Sequence, residues 1–183
     1  MSNVYWITGL SGAGKTTLAT LLTNHLKKRV KSVILLDGDA IRTALGSLTN
    51  HKRADRLALA YQYAGLAKMI ADQGSEVVVA TVSLFDEIHS WNRLNLPSYY
   101  EIYLKVDISE LRRRDAKGIY ARFDSGDLSD LAGLDLPIDE PKKPNLRIDF
   151  YDGLTPDATL KIVLEAFERD KKENKKEIKK NDR

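Results

Sequence analysis

The 183-residue chain contains no cysteine. That absence excludes disulfides, thiolate metal sites and a cysteine nucleophile, and it fits a reducing compartment. Histidine is scarce: His25, His51 and His89 are the three, and they show no metal-ligand spacing. His25 and His89 read as surface or partly buried residues. Tryptophan is scarcer still, and Trp6 and Trp91 read as packing residues rather than stacking platforms. No apolar run approaches the roughly 20 residues that cross a bilayer. Met1 to Leu10 lacks the basic start of a signal peptide. The expectation is a cytoplasmic protein with no membrane partner. A strong charge imbalance is also missing. The net charge is +3, and residues 169–183 hold eight Lys or Arg against four Asp or Glu, so the remainder is near neutral. The tail reads as a solvated helix end or disordered extension. A nucleic-acid or membrane arm is the competing reading, and it predicts binding that weakens steeply with salt. No nucleic-acid partner is expected.

What is present is ordinary for a globular chain, with 43% apolar and 30% charged residues, enough for one domain with a substantial core. Residues 1–168 are taken as that domain and 169–183 as the tail. Short apolar runs alternate with helical patterns. "VYWITG", "SVILLDGD", "EVVVATVS", "YYEIYLKV" and "NLRIDF" read as five strands, the last short and at an edge. Thr16 to Lys28 and Arg53 to Gln73 read as helices, the second closed by Gly74. Ser109 is expected to cap a short helix through Arg113, and Thr155-Pro156-Asp157 to open the last helix. From about 115 to 144 the periodicity breaks, as in a functional lid or a disordered loop. The fold class implied is α/β, a parallel five-stranded sheet covered on both faces, with ligands beyond the carboxyl ends of the strands. Gly9 to Thr17, Asp37 to Arg42, Thr81 to Asp86 and the Asp107 side of the fourth strand are the places to look.

Gly9-Leu10-Ser11-Gly12-Ala13-Gly14-Lys15-Thr16, followed by Thr17, matches G-x-x-x-x-G-K-[ST] at every fixed position, between a strand and a helix. Glycines let backbone N–H groups turn toward phosphate oxygens, and the helix start adds its positive end. Lys15 is expected to reach the β- and γ-phosphates, and Thr16 to ligate Mg²⁺. A nucleoside triphosphate, ATP, is the implied co-substrate.

"LLDGDAIR" places Asp37 and Asp39 around a glycine at a strand end, with Arg42 one turn later. One reading is a polar turn in which Asp39 caps the helix. The other puts Asp39 beside the transferred phosphate, orienting or deprotonating a hydroxyl, with Arg42 on an anionic acceptor and Asp37 ordering Mg²⁺ through water. "RRRDAKGIYARFDSGD" carries Arg112, Arg113, Arg114 and Lys117, which read either as an exposed basic helix end or as lid cations that close over phosphates.

From about Val4 to Phe150 the chain resembles the adenylylsulfate kinases. The resemblance rests on "GLSGAGKTT", "LDGD" with Arg42, Asp55-Arg56, "AKMIADQG", "VSLF" around Ser83, "RDAKGIY" and "AGLDLPIDEP". It implies a P-loop kinase fold with a mobile lid, commonly dimeric, that uses MgATP to phosphorylate the ribose 3′-hydroxyl of adenylylsulfate in sulfate assimilation. It also implies ATP contacts from the loop and Arg114 and catalytic roles for Lys15 and Asp39, and the acceptor contacts expected are Asp37, Asp39, Arg42, His51, Arg56, Ser83, Lys117 and Leu131. Ser83 falls where the family has a serine once proposed to carry phosphate, but no base is identifiable near it, and it reads as structural or as a phosphate neighbour.

The chain departs from that family where its members hold the acceptor's adenine between two rings. His51 and Leu131 stand at those positions. Leu59, Tyr61 and Gln62 stand where the family has Asn and two Arg. "WNRLNLPSYYEIYLKV" resembles a branch associated with capsule polysaccharides, to which phosphorylation of cytidine diphosphoramidate is attributed. Adenylylsulfate is therefore the first acceptor expected and cytidine diphosphoramidate the alternative. A P-loop protein that binds ATP without transferring phosphate is a further class, disfavoured by the intact Lys15, Thr16 and Asp39.

Overall fold

The run Val4–Thr8 forms strand β1, and all five of its residues are buried. Its alternate side chains feed two cores. Tyr5 and Ile7 join one cluster, and Val4 and Trp6 join another on the opposite face. The computed structural model describes residues 2–46, 52–115 and 117–181, with side chains through 173. Around β1 lie β2 (Val33–Asp37), β3 (Glu76–Thr81), β4 (Tyr99–Lys105) and β5 (Leu146–Asp149). The order β2-β3-β1-β4-β5 is parallel throughout, with Val4 beside both Val77 and Tyr99. β5 is an edge strand, as its short apolar run implied.

Helices α1 (Lys15–Lys27) and α7 (Pro156–Asn181) cover one face. Helices α3 (Arg53–Asp72) and α4 (Asp86–Asn95) cover the other. α2 (Gly38–Leu45), α5 (Ile108–Arg114) and α6 (Ile119–Asp124) lie at the carboxyl ends of the strands or beyond them. Two sequence expectations are corrected here. Ser109 lies inside α5, whose N-cap is Asp107, because the helix begins one residue before the serine. α6 interrupts the stretch read as aperiodic. It escaped notice because six residues carry less than two turns of pattern. Thr155 does cap α7, its Oγ1 accepting from the Ala158 N–H at 3.2 Å. α7 then continues through the charged tail to Asn181. Among the described residues no helix is long and apolar enough to cross a membrane.

Candidate functional site

The loop after β1 turns on three glycines with positive φ: Gly9, Gly12 and Gly14. At Gly9 the need is also for space, since a Cβ would come within 2.6 Å of the Leu104 carbonyl oxygen on β4. Leu10 and Ala13 are buried and anchor the loop to the core. Lys15 opens α1 and donates from Nζ to the Leu10 carbonyl at 2.8 Å. Burial, then the neighbouring charges of Lys117 and Arg42, push its ammonium down to about 7, with Asp37 opposing. An anion among these groups would restore the charge.

The second acidic residue was open to reading as the cap of α2. The structure gives that task to Asp37 instead. Its Oδ1 accepts from the N–H groups of Asp39 at 2.9 Å and Ala40 at 3.3 Å. Its Oδ2 accepts from Thr16 Oγ1 at 2.6 Å. Asp39 is left half-exposed, ion-paired with both Arg42 and Lys117. The adjacent hydroxyl and carboxylate of Thr16 and Asp37 are hard oxygen donors that suit Mg²⁺. Among the described residues no cluster of three or more His, Cys, Asp or Glu is arranged to hold a metal. Mg²⁺ commonly takes one or two protein oxygens and completes its shell with phosphates and water, so the donor pair fits it.

The lid lies against the loop. Asp115 accepts from the N–H groups of Tyr120 at 3.1 Å and Ala121 at 2.9 Å, which fixes the start of α6. Tyr120 then donates its hydroxyl to the Ser11 carbonyl at 2.9 Å. Arg56 on α3 donates to the Asp130 carbonyl at 2.8 Å. Gly133, at φ +85°, packs so closely that a Cβ would come within 2.9 Å of both Leu10 methyl carbons. Gly133→Val is therefore expected to lower the melting temperature by about 3–8 °C, from roughly 1–3 kcal/mol of backbone strain plus the clash. A thermal melt followed by circular dichroism checks it, and an unchanged midpoint would mean Leu10 moves aside freely.

One cavity of about 510 Å³ joins these parts. Its walls include Ser11, Gly12, Gly14, Lys15, Thr16 and Thr17 from the loop and α1. Asp37, Asp39 and Arg42 line it from the acidic turn, and Arg56, Ser83, Lys117 and Leu131 from farther along the chain. Of the sequence-predicted residues, Gly9, Leu10 and Ala13 support the wall without lining it. Arg114 is set back from it, donating to Glu110 at 2.7 Å and lying over the Phe150 ring at 4.0 Å. His51 lies outside the described residues. Ser83 is buried with φ +24°, hydrogen-bonded to Thr81 Oγ1 at 2.8 Å. The Asp107 side of β4 contributes no wall residue. Of the three helix departures, only Leu59 lines the cavity. Tyr61 turns away to meet Trp91 edge-on at 6.1 Å, and Gln62 is exposed.

Sequence reasoning missed Tyr63 and Arg122, which also line the cavity, while Phe85 falls within the Thr81 to Asp86 stretch it singled out. Helical spacing from Arg56 and Leu59 was the available signal for Tyr63. It also misjudged His89, which is 4% exposed. His89 Nδ1 is 2.7 Å from Oε1 of the fully buried Glu101, and Nε2 is 3.1 Å from the Asp139 carbonyl. Arg93 reaches Glu101 Oε2 at 2.7 Å and the Lys143 carbonyl at 3.0 Å. This network ties the end of the lid to α4 and β4. Burying the carboxylate requires such partners, and the imidazole is one of them.

The adenylylsulphate kinase family model matches residues 1–149. A cytidine diphosphoramidate kinase of Campylobacter jejuni is 41% identical over 139 residues, covering 76% of this chain and 81% of that protein. An adenylyl-sulfate kinase of Pseudomonas aeruginosa is 34% identical over 167 residues, covering 90% of this chain and 85% of that one. Among solved structures, the APS kinase CysC of Mycobacterium tuberculosis in complex with AMPPNP and APS superposes with a TM-score of 0.82 at 29% identity, covering 91% of this chain and 98% of that one. Shikimate kinase of Aquifex aeolicus, at 13% identity and a TM-score of 0.58, shares the fold alone.

Proposed function

The chain belongs to the adenylylsulfate kinase family and is a nucleotide-hydroxyl kinase, and from that premise we propose that it transfers the γ-phosphate of MgATP to the ribose 3′-hydroxyl of cytidine diphosphoramidate. The observation that carries the transfer chemistry is the cavity beside the loop. Its walls bring together the phosphate loop, the Asp37–Arg42 turn and the side chains of Leu59 and Leu131, an arrangement that supports in-line transfer between two bound nucleotides.

Within this reading the N–H groups of Ser11 to Thr16 and the Lys15 ammonium hold the triphosphate. Thr16 and Asp37 hold Mg²⁺, which neutralises phosphate charge when bound. Asp39 orients the acceptor hydroxyl and takes its proton. Arg42 and Lys117, paired with Asp39 in the structure, turn to the anionic ligands as these arrive. Arg114 joins the ATP contacts on lid movement.

The acceptor assignment rests on the chamber wall. Leu59 and Leu131 line it where the resemblance implies an Asn and an aromatic ring. An aromatic pair contributes about 0.5–1.5 kcal/mol beyond its area burial, so a wall without that ring favours a smaller base. The 41% relative supports the same acceptor. Adenylylsulfate is the second reading, supported by the Pseudomonas relative and the similarity to the Mycobacterium structure. ADP release measured side by side on the two acceptors decides between them. The expected result is a kcat/KM at least tenfold higher on cytidine diphosphoramidate. A preference for adenylylsulfate would overturn that choice and leave the transfer chemistry intact.

A further inference from the structure

We propose that Tyr63 is a positioning residue for acceptor recognition, acting through Arg42; this rests on the kinase reading above. Tyr63 stands on α3 with Arg56 and Leu59, at helical spacing that puts all three on one face, and all three line the cavity. The residue is 2% exposed. Its hydroxyl donates to the Gly38 carbonyl at 3.1 Å, the glycine between Asp37 and Asp39. The same oxygen accepts from the Arg42 guanidinium at 3.5 Å. Burial raises its pKa, so the phenol keeps the proton it donates.

Packing alone does not call for a hydroxyl here. The neighbouring α3 positions that face the core are Leu59, Ala60, Ala64, Ala67 and Ala71, and a buried phenol costs desolvation unless it is bonded. This one is bonded, and both partners lie in the turn from Asp37 to Arg42. Gly38 has little room to shift, since a Cβ on it would stand 3.3 Å from the Ala80 carbonyl oxygen. The hydroxyl thus pins the turn from one side, while the Asp37 cap pins it from within. Arg42 is held from two directions, by Asp39 through charge and by Tyr63 through a neutral oxygen. When an acceptor anion draws Arg42 away from Asp39, the Tyr63 hydroxyl remains as its guide. A neutral acceptor suits that task, because it orients the guanidinium without competing for its charge.

The test is Tyr63→Phe, alone and combined with Arg42→Ala, in a cycle that reads both steady-state kinetics and calorimetric binding of each acceptor in the presence of MgADP. Tyr63→Phe alone is expected to raise the acceptor KM and Kd about 5–10-fold and, because the Gly38 carbonyl loses its partner, to lower the melting temperature by a few degrees, while the ATP KM stays near wild type and kcat changes less than the acceptor KM. In the Arg42→Ala background the same substitution is expected to change acceptor KM less than about twofold. An equal fold-change in both backgrounds would overturn the coupling to Arg42. A loss shared by ATP and acceptor would reduce Tyr63 to a packing residue. A wild type that binds and phosphorylates a nucleotide, with Tyr63→Phe indistinguishable from it, overturns this inference alone. A wild type that neither binds nor phosphorylates either nucleotide overturns the kinase reading and this inference with it.

Discussion

Lys15→Ala is expected to lower kcat/KM for ATP-dependent phosphorylation by roughly 10³-fold or more while the protein still folds. The magnitude follows from the role proposed for the ammonium, which is buried beside the loop near Lys117, Asp37 and Arg42. Removing one preorganised charge of this kind costs more than its ground-state contact, because charge on the transferring group is stabilised most in the transition state. The fold is expected to survive, because Lys15 makes one hydrogen bond to the Leu10 carbonyl, whereas Leu10, Ala13 and Leu18 carry the packing. Removing a cation held down to about 7 by burial and by Lys117 and Arg42 also relieves repulsion among these groups. The melting temperature of Lys15→Ala is therefore expected to equal or exceed that of wild type. Kinetics and a melt on the same preparation check both halves. Activity within tenfold of wild type would remove Lys15 from the transfer step.

The loop was legible in the sequence because its demands are local. Gly9, Gly12 and Gly14 are needed where they stand for reasons of backbone conformation and space, and their spacing announces itself within eight residues. The strands were legible for a similar reason, since a sheet buried on both faces writes continuous apolar runs such as residues 4–7 and 77–80. What stayed hidden depends on partners far along the chain. The seat of Tyr120 on Ser11 joins residues 109 positions apart. The contact between Arg56 and Asp130 spans 74. His89 looks like any histidine until β4 brings Glu101 beneath it. The choice between Asp37 and Asp39 as the cap of α2 could not be read from "LLDGD", because it turns on where α2 begins, at Gly38. The Asp37 carboxylate caps α2 and accepts from Thr16, while the Asp39 carboxylate takes no part in the cap and pairs with Arg42 and Lys117.

Asp39→Ala is expected to reduce kcat by roughly 10²–10⁴-fold, the range for loss of a positioned general base. The structure makes this substitution more informative than the usual deletion of a base. Asp39 is the shared counter-ion of Arg42 and Lys117, so its removal leaves two cations facing each other at the mouth of the cavity. That repulsion favours an open lid and stronger affinity for anions. The ATP KM is expected to hold or fall while kcat collapses, and this opposite movement separates loss of chemistry from general damage. Asp39→Asn sharpens the point. The amide keeps the size and can still accept from the acceptor hydroxyl, but it cannot take the proton and no longer balances the two cations. If Asp39 acts as the base, Asn is expected to be nearly as slow as Ala. If Asp39 served only to aim the hydroxyl, Asn would recover most of the rate. If its whole task were to hold Lys117 and the lid in place, then Lys117→Ala would reproduce the loss in full. Measuring kcat and both KM values for Asp39→Ala, Asp39→Asn and Lys117→Ala against the wild type distinguishes the three. The expected order of kcat is wild type first, Lys117→Ala intermediate, and the two Asp39 variants together at the bottom.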